Sequence, residues 1–150
     1  MIRTFAEWVG TVFYLGKLPL APGTWTSLVS TITWYFIFKD LNIYILPTVT
    51  SLLFILGVVS SNKIIRYHKE HDPSVIVIDE WVGQWLAFTM LPVTFQTGLI
   101  GFIAFRFFDI LKPGPVKRME RLPNGLGVMA DDVMAGILAY FIIIIYYLLF

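Results

Sequence analysis

The chain has 150 residues, 57% of them hydrophobic and 14% charged, with a mean hydropathy of +0.76. Soluble domains run nearer 45–50% apolar and about 25% charged, so the composition points to a membrane protein, and the length fits a single domain over 1–150. A net charge of +1 gives no bulk attraction to acidic or basic partners, and the lack of cysteine excludes disulfides, thiolate zinc sites and a cysteine nucleophile.

The N-terminal MIRTFAEWVG has no small-residue cleavage site behind an apolar core, which argues against a cleaved signal peptide. LGKLPLAPGTWTS (15–27) is a Pro/Gly loop feeding the first apolar stretch, 25–38. Gly23 and Thr24 there would present free backbone N–H groups at a helix start, a natural cradle for phosphate, and Lys17 adds a charge. The second stretch, 41–59, contains Pro47, which predicts a kink. The segment 60–80 carries Lys63, Arg66 and Lys69, and its His68 and His71 read as solvated loop residues.

Asp79 and Glu80 open the third stretch, 81–95, with Pro92 near its end. Gly83 and Ala87, four apart, form a small-residue seam for close helix approach. In the fourth stretch, 98–111, Arg106 and Asp109 share a helix face and form a candidate ion pair. Pro113 ends that helix and leaves Lys112 at the membrane rim, free to meet a phosphate. The connection 112–132 also carries Lys117, Arg118 and Arg121. Asp131 and Asp132 open the fifth stretch, 133–150, and the small residues Ala135 and Gly136 follow one turn later.

A full span needs about 20 residues, so the second and fifth stretches qualify, and the other three are either short crossings or core helices. The expected fold is an all-α membrane bundle of four to five short transmembrane helices. Five crossings put the N-terminus, 60–80 and 112–132 on one face. Nearly all Lys and Arg lie there, which marks that face as cytoplasmic and places Phe150 on the other side. The two acidic pairs meet on that face. Like charges at membrane depth are costly unless a cation intervenes. Carboxylates without His or Cys suit Mg²⁺ or Ca²⁺, so Asp79, Glu80, Asp131 and Asp132 are the candidate metal ligands, and Asp109 is a possible fifth acidic member.

Several phosphatase strategies are missing: no Asp-x-Asp pair, no Gly-x-x-x-x-Gly-Lys loop and no Ser-Gly-His. Metal-assisted displacement at phosphorus remains, with Lys17 and Lys112 as cations available to a phosphate. The rival reading is a small ion or proton transporter lined by carboxylates, which would place its acids at mid-span.

LPLAPGTWTS, DPSVIVIDEWVGQW, FRFFDILKPGPV and GLGVMADDVMAG, in this order, resemble the phosphatidylglycerophosphatase A family from Gly16 to Gly136. The resemblance implies a Mg²⁺-dependent enzyme of the bacterial inner membrane with an all-α multihelical fold. It would remove the terminal phosphate of phosphatidylglycerophosphate to give phosphatidylglycerol. By motif position, Asp79, Glu80, Asp109, Asp131 and Asp132 would be the acidic site residues, and Lys17, Arg106 and Lys112 the phosphate ligands.

Overall fold

The computed structural model describes residues 2–68 and 74–150, with side chains from Phe5 onward. Lys69 and His71 lie outside the described residues. Among the described residues, seven α-helices follow in chain order: α1 (Ile2–Gly10), α2 (Pro22–Ile37), α3 (Ile45–His68), α4 (Ile78–Ala87), α5 (Phe95–Leu111), α6 (Gly114–Met119) and α7 (Asn124–Leu149). A short 3-10 turn, Leu15–Lys17, lies between α1 and α2. No strand occurs among the described residues.

Local chemistry sets most of the boundaries. Pro22 starts α2 where its missing N–H costs nothing. Thr94 caps α5 by accepting the N–H of Thr97, and Lys112 ends it in the left-handed region at φ 43°, just before Pro113. Pro47 produces no kink, contrary to expectation. It is the third residue of α3, inside the first turn, where backbone N–H groups lack helical partners anyway. The helix then runs nine residues past its expected end at 59, because Ser60, Ser61 and Ile64 turn inward and are buried. His68 is its exposed last residue.

Two helices lie outside the expected apolar stretches. α1 is a short amphipathic helix, and α6 has six residues between Pro113 and Pro123 in a basic segment.

Five helices traverse the bundle in alternating directions. The starts of α2, α4 and α7 and the ends of α3 and α5 gather at one end. There Gly23, Glu80, Arg106 and Asp132 line a common cavity, and Asn62 of α3 accepts the N–H of Gly125. At the other end Trp34, Phe38, Leu46, Trp85, Phe88, Leu91 and Ile143 form an apolar cluster. Trp34 and Phe88 stack there with centroids 4.1 Å apart. The turns after α4 therefore reach the same depth as the α2–α3 connection.

α4 lies at the centre, backed closely onto α7. A Cβ on Gly136 would collide with the carbonyl oxygen of Gly83, so only glycine allows this approach. α3 and α7 are long and apolar enough to cross a membrane, and only 28% of the most apolar window of each is buried. Core helices of a soluble protein would be mostly buried, so these faces suit lipid. The remaining expected crossings are shorter, with 16 residues in α2, 10 in α4 and 17 in α5.

Candidate active site

One polar cavity of about 270 Å³ opens at the end where the helix termini gather. Its walls include Gly23, Asp79, Glu80, Arg106, Asp109, Lys112, Asp131 and Asp132, joined by Ser74 and Ile76 from the segment before α4. Residues from α2, α4, α5 and α7, up to 110 positions apart between Pro22 and Asp132, meet there.

The acidic core is compact. Asp79, Glu80 and Asp132 each offer an oxygen within 4.8 Å of the others. Asp79 and Asp132 are buried, and the buried Oε2 of Glu80 has no hydrogen-bond partner among the described residues. Asp79 and Glu80 occupy the first turn of α4, where the helix dipole favours negative charge. Asp131 and Asp132 do not share that support, which corrects the reading of them as a helix start. α7 begins at Asn124, seven residues earlier, so tertiary structure must account for their position. The close Gly83–Gly136 approach supplies it, because it presses the acidic turn of α4 against α7. Three carboxylates this close, largely out of water, repel one another unless protons or a cation compensate. An all-oxygen set with one unpartnered acceptor fits a hard divalent cation.

Asp131, the fourth expected ligand, is differently engaged. Its Oδ2 accepts from Lys112 Nζ at 2.8 Å, and the same ammonium donates to Glu120 Oε1 at 3.1 Å. Lys112 is therefore not a free rim lysine. Its left-handed backbone at the end of α5 turns the side chain back into the cavity wall. Burial opposes its charge, but the hydrogen bond and charge of Asp131, followed by those of Glu120, outweigh that and hold Lys112 above its ordinary pKa. Glu120 carries no signal in the sequence. It sits in the charged run KRMER, and nothing in that run distinguishes it from a solvated acid.

Arg106 and Asp109 form the expected pair, Nη1 to Oδ2 at 2.5 Å, with both side chains mostly buried. Arg106 Nη1 also reaches Ser27 Oγ at 3.5 Å, and its buried Nε has no partner among the described residues. Gly23 touches this group: a Cβ there would collide with Glu80 Oε1 and meet Arg106 Nη1 at 3.3 Å. The α2 start is thus packed onto the acidic and basic side chains. Its N-cap residue, Ala21, supplies no capping side chain.

Two expected phosphate ligands lie elsewhere. Lys17 is exposed with its ammonium 4.6 Å from the Tyr14 ring centroid, and neither Lys17 nor Thr24 lines the cavity.

Comparison with known proteins matches residues 8–147 to the family model for phosphatidylglycerophosphatase A. A phosphatidylglycerophosphatase A of Haemophilus influenzae is 40% identical over 133 residues, covering 87% of this chain and 82% of the relative. A Bacteroides thetaiotaomicron protein provisionally named a phosphatidylinositol-3-phosphatase is 37% identical over 142 residues, covering 90% and 89%. The phosphatidylglycerophosphatase A of Escherichia coli is 34% identical over 130 residues, covering 85% and 74%. No solved structure matches. With this match over nearly its whole length, the chain belongs to the phosphatidylglycerophosphatase A family.

Proposed function

We propose that this chain, a phosphoric monoester hydrolase by family, removes the terminal phosphate of phosphatidylglycerophosphate to give phosphatidylglycerol, using Mg²⁺ at the cytoplasmic face of the inner membrane. The observation that carries the reading is the Asp79–Glu80–Asp132 cluster in the same cavity as Arg106 and Lys112. Acidic and basic side chains side by side suit a ligand that is itself an anion bound through a cation.

Asp79, Glu80 and Asp132 would hold the metal ion. When bound, Mg²⁺ offsets phosphate charge and favours an oxygen nucleophile. The chain's own groups do the rest. Arg106, fixed by Asp109, presents its buried guanidinium to the phosphoryl oxygens, where it holds the group in line for attack. Lys112, held between Asp131 and Glu120, adds positive potential at the cavity wall. The closely packed Gly23 lets the α2 start approach the same spot. The net reaction consumes one water: its oxygen ends on phosphorus as the bond to the headgroup oxygen breaks, one of its protons ends on that oxygen, and the products are the lipid alcohol and inorganic phosphate.

The membrane arrangement follows from charge. Lys17, Lys63, Arg66, Lys117, Arg118 and Arg121 lie toward the cavity end, and Lys39 lies at the other. That asymmetry supports a cytoplasmic cavity and five passes. A transport path would need acids distributed through the depth of the bundle, whereas the five site acids share one end.

The test is phosphate release by purified protein with Mg²⁺. Phosphatidylglycerophosphate and phosphatidylinositol 3-phosphate are offered in parallel, since the Bacteroides relative carries the second specificity in its name. Release from the first at a higher kcat/KM supports the proposal. Release from the second alone reassigns the substrate, and no release from either overturns the hydrolase reading of the cavity.

A further inference from the structure

Two apolar grooves of similar size cut the lipid-facing surface formed by the described residues. One, of about 300 Å³, lies among α1, α3 and α4 and includes Trp8, Leu53, Leu56 and Trp81. The other, of about 330 Å³, lies between α2 and α5 and includes Leu28, Ile32, Phe95, Gly98, Leu99 and Phe102. Both have hydrocarbon walls, so wall chemistry does not separate them. Their relation to the polar cavity does.

The α2–α5 groove begins one helical turn along α5 from that cavity. On α5, Phe95, Gly98, Leu99 and Phe102 follow helical i, i+3, i+4, i+7 spacing, and the same face continues to Arg106 four residues beyond Phe102. On α2, Leu28 and Ile32 continue the face that begins at Thr24, one residue past Gly23 in the cavity wall. The step from Phe102 to Arg106 is one turn, about 6 Å of rise. From there the groove descends along α2 to Phe36, about 12 Å below Leu28. A Cβ on Gly98 would make ordinary contacts at 3.5 Å with Thr31 and Trp34, so crowding does not demand glycine there.

The other groove has no such link. Its α4 residues Ile78 and Trp81 line it beside α1 and α3 residues, and Trp85 donates its indole N–H to the Ser30 carbonyl of α2, whereas Glu80 lies against Gly23 of α2. The buried segment Ile76–Ile78 borders both, with Ile76 in the cavity wall and Ile78 in the groove wall, so on α4 the two open on different faces.

We propose that the α2–α5 groove is the subsite for one acyl chain of the lipid whose phosphate occupies the polar cavity. This rests on the phosphatase reading of the cavity. With the terminal phosphate beside Arg106, the headgroup glycerol and the phosphodiester come next, near the level of Phe102, and one acyl chain then follows a concave, almost wholly apolar track toward Phe36. The subsite selects for a membrane-embedded phosphomonoester over a soluble one.

The experiment has a binding arm and a turnover arm. A long-chain lipid phosphomonoester carrying a diazirine near mid-chain is photolysed with the full-length protein in nanodiscs, and adducts are mapped by peptide. Adducts concentrated on 28–36 and 95–102, and lost when unlabelled phosphatidylglycerophosphate competes, are expected. Leu99→Trp and Ile32→Trp, both at exposed rim positions, should reduce them at least fivefold, whereas Leu56→Trp in the other groove should not. In the turnover arm, L99W should lower kcat/KM for the long-chain substrate about tenfold and leave a dihexanoyl analogue within twofold. Adducts spread evenly over the lipid-facing helices, or concentrated on Leu53–Leu56, overturn the subsite, as does equal loss on both chain lengths. Groove labelling without phosphate release overturns the hydrolase reading alone, and release without groove labelling overturns the subsite alone.

Discussion

Asp132 and Lys112 carry different burdens at the residue scale, and their variants should separate them. Asp132 has no cationic partner among the described ion pairs and sits in the three-oxygen cluster. Asp132→Asn keeps the volume and removes a charge that burial makes costly, so the fold should be unharmed or slightly stabilised without metal. Turnover should fall by at least a hundredfold, and the rise in melting temperature on adding Mg²⁺ should shrink toward zero. A full Mg²⁺ shift in D132N would place the ion elsewhere. Lys112 is instead a structural and electrostatic centre. Lys112→Met leaves Asp131 buried without its partner, a type of loss that costs about 3 kcal/mol. Adding Asp131→Asn removes the stranded charge, so the double variant should recover most of the stability while activity stays low. Denaturant unfolding of the two singles and the double measures the coupling directly. The identities of these residues were visible in the sequence as acids and bases in apolar surroundings. Their partners were not: Lys112 reads as free beside Pro113, and only the left-handed turn at its own backbone aims it at Asp131 and Glu120.

At the scale of elements, the site depends on how near α4 comes to α7. Gly83 and Gly136 meet backbone to backbone, and a Cβ on Gly136 would strike a carbonyl oxygen that no side-chain rotation can move. Gly136→Ala must therefore push the helices apart. Overpacking of this kind costs about 1–3 kcal/mol. Its larger effect should be on the cluster, since a shift of about 1 Å between Asp132 and the Asp79–Glu80 turn spoils a shared ligand set. Activity should fall at least tenfold, with a higher Mg²⁺ concentration needed for half-maximal rate. Unchanged Mg²⁺ dependence would mean the acids do not act as one site. The small-xxx-small signal in the sequence located this seam, because side-chain size is a local property. The register of α7 was less legible. Hydropathy falls at Ala130–Asp132, so a window that seeks apolar residues starts the helix at 133, whereas the helix begins after Pro123 and carries its aspartates inward. Buried acids break the apolar pattern where the function is placed.

At the scale of the whole molecule, the alternating helices turn the question of sidedness into one of chain ends and loops. The cavity opens beside Ser74, and the α2–α3 connection around Asn42 lies at the opposite end of the bundle. The chain contains no cysteine, so single cysteines report position without background. Ser74→Cys and Asn42→Cys, each in an otherwise native chain, should label from opposite sides of an oriented membrane with a membrane-impermeant maleimide. Ser74→Cys should react only when the cytoplasmic face is open, and Asn42→Cys only from outside it. A cysteine added after Phe150 should behave like Asn42→Cys, since α7 starts at the cavity end and runs away from it. The bundle is thin for a membrane-spanning one, because α2, at 16 residues, covers about 24 Å against a hydrocarbon core of about 30 Å. Local thinning or tilt makes up such a difference at modest cost. In the proposed arrangement the cavity acids lie close to the headgroup layer, where a lipid phosphate would reach them without leaving the membrane. Labelling of Ser74→Cys and Asn42→Cys from the same side would mean that α3, the helix between them, does not cross. It would also remove the charge-based case for a cytoplasmic cavity, because the basic segments and Lys39 would then share one face.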